Sequence, residues 1–189
     1  MKMSARWLYA GAVLASLMQT GVLYASIEQR ASILRSGKVV ELLSEPVDPR
    51  DLLRGDYVVL DYAISSIARS DIAGKTVPGQ RDVYVALKPG ANGLWHFSRA
   101  SLTPLADLAP EEVQIHGKSR YDIPNDPERI IRIHYGIERF YLPEGQGRAV
   151  EDAQRDRAIT VMVAVNRHGE AVIKALKDNG KQLFEEPLY

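Results

Sequence analysis

The chain has 189 residues, enough for one ordinary domain or two small ones, and its 46% apolar and 25% charged residues exclude a disordered protein. Lysine plus arginine and aspartate plus glutamate number 24 each, without the basic excess that nucleic-acid binding requires. The absence of cysteine excludes disulfides, thiolate nucleophiles and cysteine-ligated zinc.

The first predicted element is a membrane-spanning helix. The segment from Trp7 to Ile27 is uncharged and mostly apolar over about 20 residues, enough to cross a bilayer. Lys2 and Arg6 precede it, so the positive-inside rule keeps the N-terminus in the cytoplasm. A cleaved signal peptide is the main alternative, although Leu23 occupies the first small-residue position of the cleavage pattern. A buried core helix is disfavoured because the segment has no polar face.

We therefore divide the chain into a membrane anchor at residues 1–27, a short helical linker at 28–37 and an exported domain at 38–189. The linker is expected to extend the helix and to end near Gly37. The predicted location is the inner membrane, with a single span and the C-terminal domain in the periplasm.

Short β-rich segments separated by proline, glycine and asparagine follow the linker. Candidate strands are KVVELLSEPV, which Pro46 stops, then DYVVLDYAISSI, EEVQIHGKSRY and RIIRIHYGIERFYL. Hairpins are predicted in DVYVALKPGANGLWHFSRA and in AITVMVAVNRHGEAVIKAL, and one polar helical turn in EDAQRDRA. The predicted fold class is mainly β (β-rich α+β), with antiparallel strands and hairpins plus an N-terminal transmembrane helix.

Two parts of the predicted β domain resemble each other. LDYAIS (Leu60–Ser65) resembles IHYGIE (Ile133–Glu138), and VYVAL (Val83–Leu87) resembles VMVAV (Val161–Val165). We therefore hypothesise two related β units, at residues 38–105 and 111–185. The alternative is that unrelated hairpins share these patterns, because short apolar strands carry little information.

The most distinctive pattern lies in PVDPRDLLRGDYVVLDY (Pro46–Tyr62). Its GDYVVLDY part matches Gly-Asp-Tyr-x-x-Leu-x-Tyr, so the chain resembles the GDYXXLXY family of bacterial membrane-anchored proteins. YGIERFYLPEGQGRAVE (Tyr135–Glu151) is similar to the second block of that family. The resemblance implies an N-terminal membrane segment and an exported domain, without catalytic residues. It also implies a multi-span membrane protein as partner, because relatives often lie beside such proteins or are fused to them.

The two blocks supply candidate binding residues. If two units pack around a pseudo-twofold axis, the blocks come together and their charged and tyrosine side chains form one site. The candidates are Asp48, Arg50, Arg54, Asp56, Tyr57, Tyr62, Tyr135, Glu138, Arg139, Tyr141 and Glu144. The alternative is a turn stabilised by ion pairs, in which Gly55 takes a positive φ before the strand begins.

No catalytic residue, cofactor or metal site is predicted. Membrane-anchored signal peptidases place a serine eight residues before a similar Gly-Asp pair, but Val47 stands there, and Ser44 lacks an evident base. The histidines lack the spacing of zinc ligands: His96, His116, His134 and His168. The predicted function is a binding or assembly module for an envelope membrane protein. The alternative is an envelope hydrolase or peptidase-like enzyme that uses the Asp/Glu/Arg/Tyr cluster.

Overall fold

The computed structural model describes residues 5–45, 57–141, 159–178 and 180–187. Within these ranges one long helix precedes a series of short strands that pair almost entirely antiparallel, which confirms the predicted fold class. The polar helical turn predicted at 151–158 lies outside the described residues.

Helix α1 runs from Ala5 to Ser36 without a break, so the predicted linker continues the helix. It is the one described helix that is long and apolar enough to cross a membrane. Its large apolar side chains between Tyr9 and Ile27 are 59–74% exposed, which rules out a buried core helix. The backbone N–H of Gly37 donates to the carbonyl of Ile33 (2.8 Å) and closes the helix where the sequence predicted its end.

The last turns of α1 pack on the β domain. Ile33 and Leu34 are buried and form a small cluster with Ala164 and Val172. This burial anchors the helix end through the hydrophobic effect, which contributes roughly 1.5–3 kcal/mol for each large apolar side chain removed from water. The apolar segment and the β domain are therefore joined by one helix whose C-terminal end is fixed.

The described strands form three sheets, in the orders β13-β12-β11-β1-β3, β10-β2 and β4-β9-β8-β6-β7-β5. Alternating burial along β1, β2 and β9 explains why these segments form strands with one face toward the core. The strands are β1 (Lys38–Glu45), β2 (Tyr57–Val59), β3 (Asp61–Tyr62), β4 (Ser66–Ala68), β5 (Ile72–Ala73), β6 (Asp82–Pro89), β7 (Trp95–Ser101), β8 (Val113–Ser119), β9 (Ile130–His134), β10 (Arg139–Tyr141), β11 (Thr160–Val165), β12 (Ala171–Asp178) and β13 (Lys181–Glu185).

Two segments predicted as single strands are each divided. DYVVLDYAISSI contains β2, β3, a 3-10 turn at Ala63–Ser65 and β4, and RIIRIHYGIERFYL contains β9 and β10. The division arises because each segment leaves one sheet halfway along and pairs in another. A run of β-forming residues cannot report such a change of partner, since its period of two continues through the break.

The two predicted hairpins are present and share one register. All six β6–β7 pairs, from Tyr84–Ser101 onward, have counterparts 76 positions later in the six β11–β12 pairs, from Thr160–Lys177 onward. The register shift recurs at the same point, and both turns close with the same two backbone hydrogen bonds. Gly93 and Gly169 take equivalent positive φ angles of 80° and 87° in these turns.

The two halves exchange strands. Strand β1 of the first half pairs with β11 of the second, and β8 of the second pairs with β6 of the first. The pairs Val40–Val163 and Leu87–Val113 are counterparts, because β8 repeats β1 at an offset of 73 residues and β11 repeats β6 at 76. This repeated register supports the hypothesis of internal duplication, while the limits 38–105 and 111–185 remain a prediction.

One sequence correspondence needs adjustment. The register makes residues 159–163 the counterpart of Val83–Leu87, whereas the sequence comparison aligned Val161–Val165. The displacement is two residues, the period of a strand, so inward and outward side chains still correspond. A single continuous core of buried residues from both halves lies between the sheets.

Candidate functional site

The two motif blocks pair directly with each other. Residues 57–68 and 130–141 form what we call the motif ribbon, in which β2 pairs with β10 and β4 pairs with β9. The pairs Val59–Arg139 and Ser66–Arg132 are counterparts at an offset of 73 residues. The ribbon is therefore symmetric about its centre, and the pseudo-twofold relation brings the two blocks together.

At the centre of the ribbon two tyrosines make reciprocal hydrogen bonds. The hydroxyl of Tyr62 donates to the carbonyl of Ile137 (2.8 Å), and the hydroxyl of Tyr135 donates to the carbonyl of Ile64 (2.5 Å). Each tyrosine thus contacts the residue two positions beyond its own counterpart. Tyr62 is 2% and Tyr135 6% exposed, so both side chains belong to the core. This geometry favours a structural role for them, because neither hydroxyl faces solvent.

The electrostatics of this centre keep both tyrosines neutral. Burial raises the pKa of Tyr62 well above its usual range, and the nearby Glu138 and Asp61 carboxylates raise that pKa further. Burial followed by Glu138 likewise raises the pKa of Tyr135. The Glu138 carboxylate accepts hydrogen bonds from the backbone N–H groups of Tyr135 (2.5 Å) and Gly136 (3.1 Å). It thereby stabilises the chain where Gly136 turns with a φ of 80°.

The outer face of the motif ribbon carries the predicted residues that can meet a partner. Tyr141 is 70% and Val59 40% exposed, and Arg139 is also exposed. The Tyr57 and Tyr141 rings lie 5.8 Å apart, and the Arg139 guanidinium lies 5.7 Å above the Tyr57 ring. The alternate residues Val58 and Phe140 point into the core, so these aromatic and cationic groups share one surface.

A polar groove of about 480 Å³ adjoins this face at the centre of the ribbon. It is lined by Val59 and Arg132, which are counterparts, and by Asp61 and His134, which are also counterparts. Asp61 and Arg132 form an ion pair across the groove (2.6 Å). Sequence reasoning missed Asp61, Arg132 and His134 as site residues, although each is an outward position of a recognised strand pattern.

The chemistry of the described residues favours binding over catalysis. Nucleophilic catalysis by serine needs a base within hydrogen-bond reach. At the groove the Ser66 hydroxyl accepts from the Arg132 guanidinium (3.1 Å), which is a cation and cannot serve as a base. Ser44 is fully buried, and its hydroxyl donates weakly to the carbonyl of Glu45 (3.4 Å).

The remaining predicted site residues stay predictions. Asp48, Arg50, Arg54, Asp56 and Glu144 lie outside the described residues. The segments that contain them begin and end beside one another in the described part: Tyr57 pairs with Tyr141, and the N–H of Ser44 donates to the carbonyl of Ile159 (2.8 Å).

Comparison with known proteins agrees with the motif. The family model described as GDYXXLXY protein matches residues 19–176, from the apolar part of α1 through β12. No curated protein matches the chain, and no solved structure matches it either. Because the match covers most of the sequence and includes both paired motif blocks, the chain belongs to the GDYXXLXY family.

Proposed function

We propose that the protein is a membrane-anchored, extracytoplasmic binding module that holds a membrane-protein partner against the outer face of its motif ribbon. Anchoring is supported by the exposed apolar part of α1, which no described part of the domain covers. The positive charges of Lys2 and Arg6 before the apolar segment favour a cytoplasmic N-terminus and an exported domain.

The observation that carries the binding function is the composition of the ribbon's outer face. Tyrosine and arginine are enriched in protein interfaces and account for most of their energetic hot spots. Here Tyr57, Arg139 and Tyr141 form one contiguous exposed group beside Val59. A soluble monomer gains little stability from exposing such side chains, so their grouping at the family motif supports contact with a partner.

Location is tested by protease access in spheroplasts that produce the full chain with a C-terminal tag. The expected result is that added protease removes the tag from intact spheroplasts while a cytoplasmic marker survives. A tag that is digested only after lysis would place the domain in the cytoplasm and refute this part of the proposal. Sedimentation with membranes after alkaline washing tests the anchor independently.

Partner binding is tested by photo-crosslinking in native membranes. A photoreactive amino acid replaces Val59 in one variant and Val77 in the control; the two valines are 40% and 58% exposed and lie on different parts of the domain. We expect Val59 to yield a discrete adduct with an integral membrane protein, Val77 to yield none, and Arg139→Ala to weaken the Val59 adduct. Identical adduct patterns from both positions would contradict the proposal.

A further inference from the structure

A second groove lies where α1 meets the β domain. It has a volume of about 580 Å³ and runs from Arg30 on the helix to Arg139 and Tyr141 on β10, past Phe184 and Glu186. Its floor is aromatic: the rings of Phe140 and Phe184 pack edge to face with centroids 5.1 Å apart. We call this the juxtamembrane groove.

The helix fixes the height of this groove relative to the bilayer. Arg30 is three residues beyond Ile27, the end of the apolar segment, and an α-helix rises about 1.5 Å per residue. Arg30 therefore lies about 4–5 Å past the hydrocarbon boundary. The headgroup layer on each side of a bilayer is about 5–7 Å thick, so the mouth of the groove lies within it.

The position is rigid because polar contacts hold the helix to the domain at this level. The Gln29 amide donates to both carboxylate oxygens of Glu170 (3.0 and 3.1 Å), and Arg30 pairs with Glu186 (3.2 Å). The buried residues Ile33 and Leu34 hold the next turn. The domain cannot swing away from the bilayer without breaking these contacts.

The charge of the groove selects an anion. Its lining contains two arginines, Arg30 and Arg139, against one carboxylate, Glu186. The planar guanidinium group binds phosphate oxygens in pairs, and a tyrosine at the membrane–water boundary presents an apolar ring and a polar hydroxyl to the two environments. Tyr141, 70% exposed, meets that description at the edge of the groove.

We propose that the juxtamembrane groove binds the headgroup of an acidic phospholipid from the leaflet in which α1 ends. This inference rests on the proposed membrane anchoring and adds a lipid ligand to it. The lipid phosphate lies between the Arg30 and Arg139 guanidinium groups, and the lipid chains remain in the bilayer beside α1. The lipid thereby fixes the orientation in which the motif ribbon meets its partner.

The test uses the full chain in nanodiscs that contain equal amounts of phosphatidylglycerol and phosphatidylcholine. Retained lipids are counted by native mass spectrometry after release into mild detergent. The wild-type chain is expected to retain phosphatidylglycerol preferentially, and Arg30→Gln and Arg139→Gln are each expected to lower that retention about fivefold, the value of one basic contact with an acidic membrane. Arg35→Gln is the matched control, since Arg35 lies on the same helix, pairs with Glu28 and does not line the groove.

Several outcomes would overturn the inference. Equal retention of both lipids, or equal losses from Arg30→Gln and Arg35→Gln, would show that the groove does not select an acidic headgroup. Displacement of the lipid by soluble glycerol phosphate at millimolar concentration would indicate a site for a soluble anion. A protein adduct whose yield depends on Arg30, without lipid retention, would assign the groove to a protein. Failure of anchoring would be seen earlier, because the chain would not enter nanodiscs.

Discussion

The reciprocal tyrosine pair gives the sharpest test of the fold. In Tyr62→Phe and Tyr135→Phe the ring is kept, so no cavity is created, but the carbonyls of Ile137 and Ile64 lose their donors. A buried hydrogen bond contributes about 0.5–1.5 kcal/mol, and an unsatisfied buried acceptor costs about 1–3 kcal/mol. We expect each variant to lower the free energy of unfolding by about 1–2 kcal/mol. Because the two contacts are counterparts, the two losses should agree within about 0.5 kcal/mol.

The assay is urea unfolding of the full chain in detergent, followed by circular dichroism. Tyr141→Phe is the control, since this tyrosine is 70% exposed and should change stability by less than about 0.5 kcal/mol. Unchanged stability of Tyr62→Phe combined with loss of the Val59 crosslink would refute the structural role and return Tyr62 to the binding site.

The same tyrosines predict how stability depends on alkaline pH. Burial raises the pKa of both hydroxyls in the folded state, whereas the unfolded state ionises near pH 10. Below about pH 10 both states are protonated, so the full stability is present. Above that pH stability is lost by up to about 1.4 kcal/mol per pH unit for each tyrosine, because only the unfolded state releases its protons. The phenylalanine variants should show a shallower loss, and an unchanged slope would contradict this account.

Three further predictions concern the rest of the fold. Glu112→Gln should lower stability by about 1–2 kcal/mol at pH 7. A serine hydroxyl, a backbone N–H and an arginine donate to this carboxylate and lower its pKa, so the effect of the substitution should fade in urea titrations below about pH 4. Gly117→Ala should cost about 1–3 kcal/mol in thermal melts, because a Cβ would meet side-chain atoms at 2.4–2.9 Å, while Gly21→Ala, with nothing within 4 Å, should be neutral. Fragments 1–105 and 106–189 should be unfolded separately by circular dichroism but should copurify when coexpressed, because β1 and β8 each pair in the other half; cooperative unfolding of either fragment alone would refute the strand exchange.

The predicted elements succeeded where local signals are strong. The end of α1 near Gly37, the stop of β1 before Pro46 and the turn at Asn166–Gly169 all follow from residues whose backbone preferences act locally. Strands β5 and β13 were missed. β5 has only two residues, and β13 lacks a buried face, so neither produces a clear alternating pattern.

The candidate site was predicted in part. The pairing of the two blocks follows from the likeness of LDYAIS and IHYGIE, which the register repeats at 73 residues. The sequence could not separate the core tyrosines Tyr62 and Tyr135 from the surface tyrosines Tyr57 and Tyr141. All four lie in β-forming segments, and only the neighbouring sheet decides which side of a strand is covered.

Composition and local pattern by themselves determined that this chain has an apolar N-terminal helix, a mainly antiparallel β domain and two related motif blocks. These properties depend on residues close together along the chain, where helix length, turn residues and alternation act directly. The tertiary structure alone decided that the halves exchange strands and that each central tyrosine bonds the opposite arm of the motif ribbon. It also placed Arg30 and Arg139 in one groove beside the helix. Such contacts join residues about 70 to 150 positions apart, and their free energy appears only when the whole core is assembled.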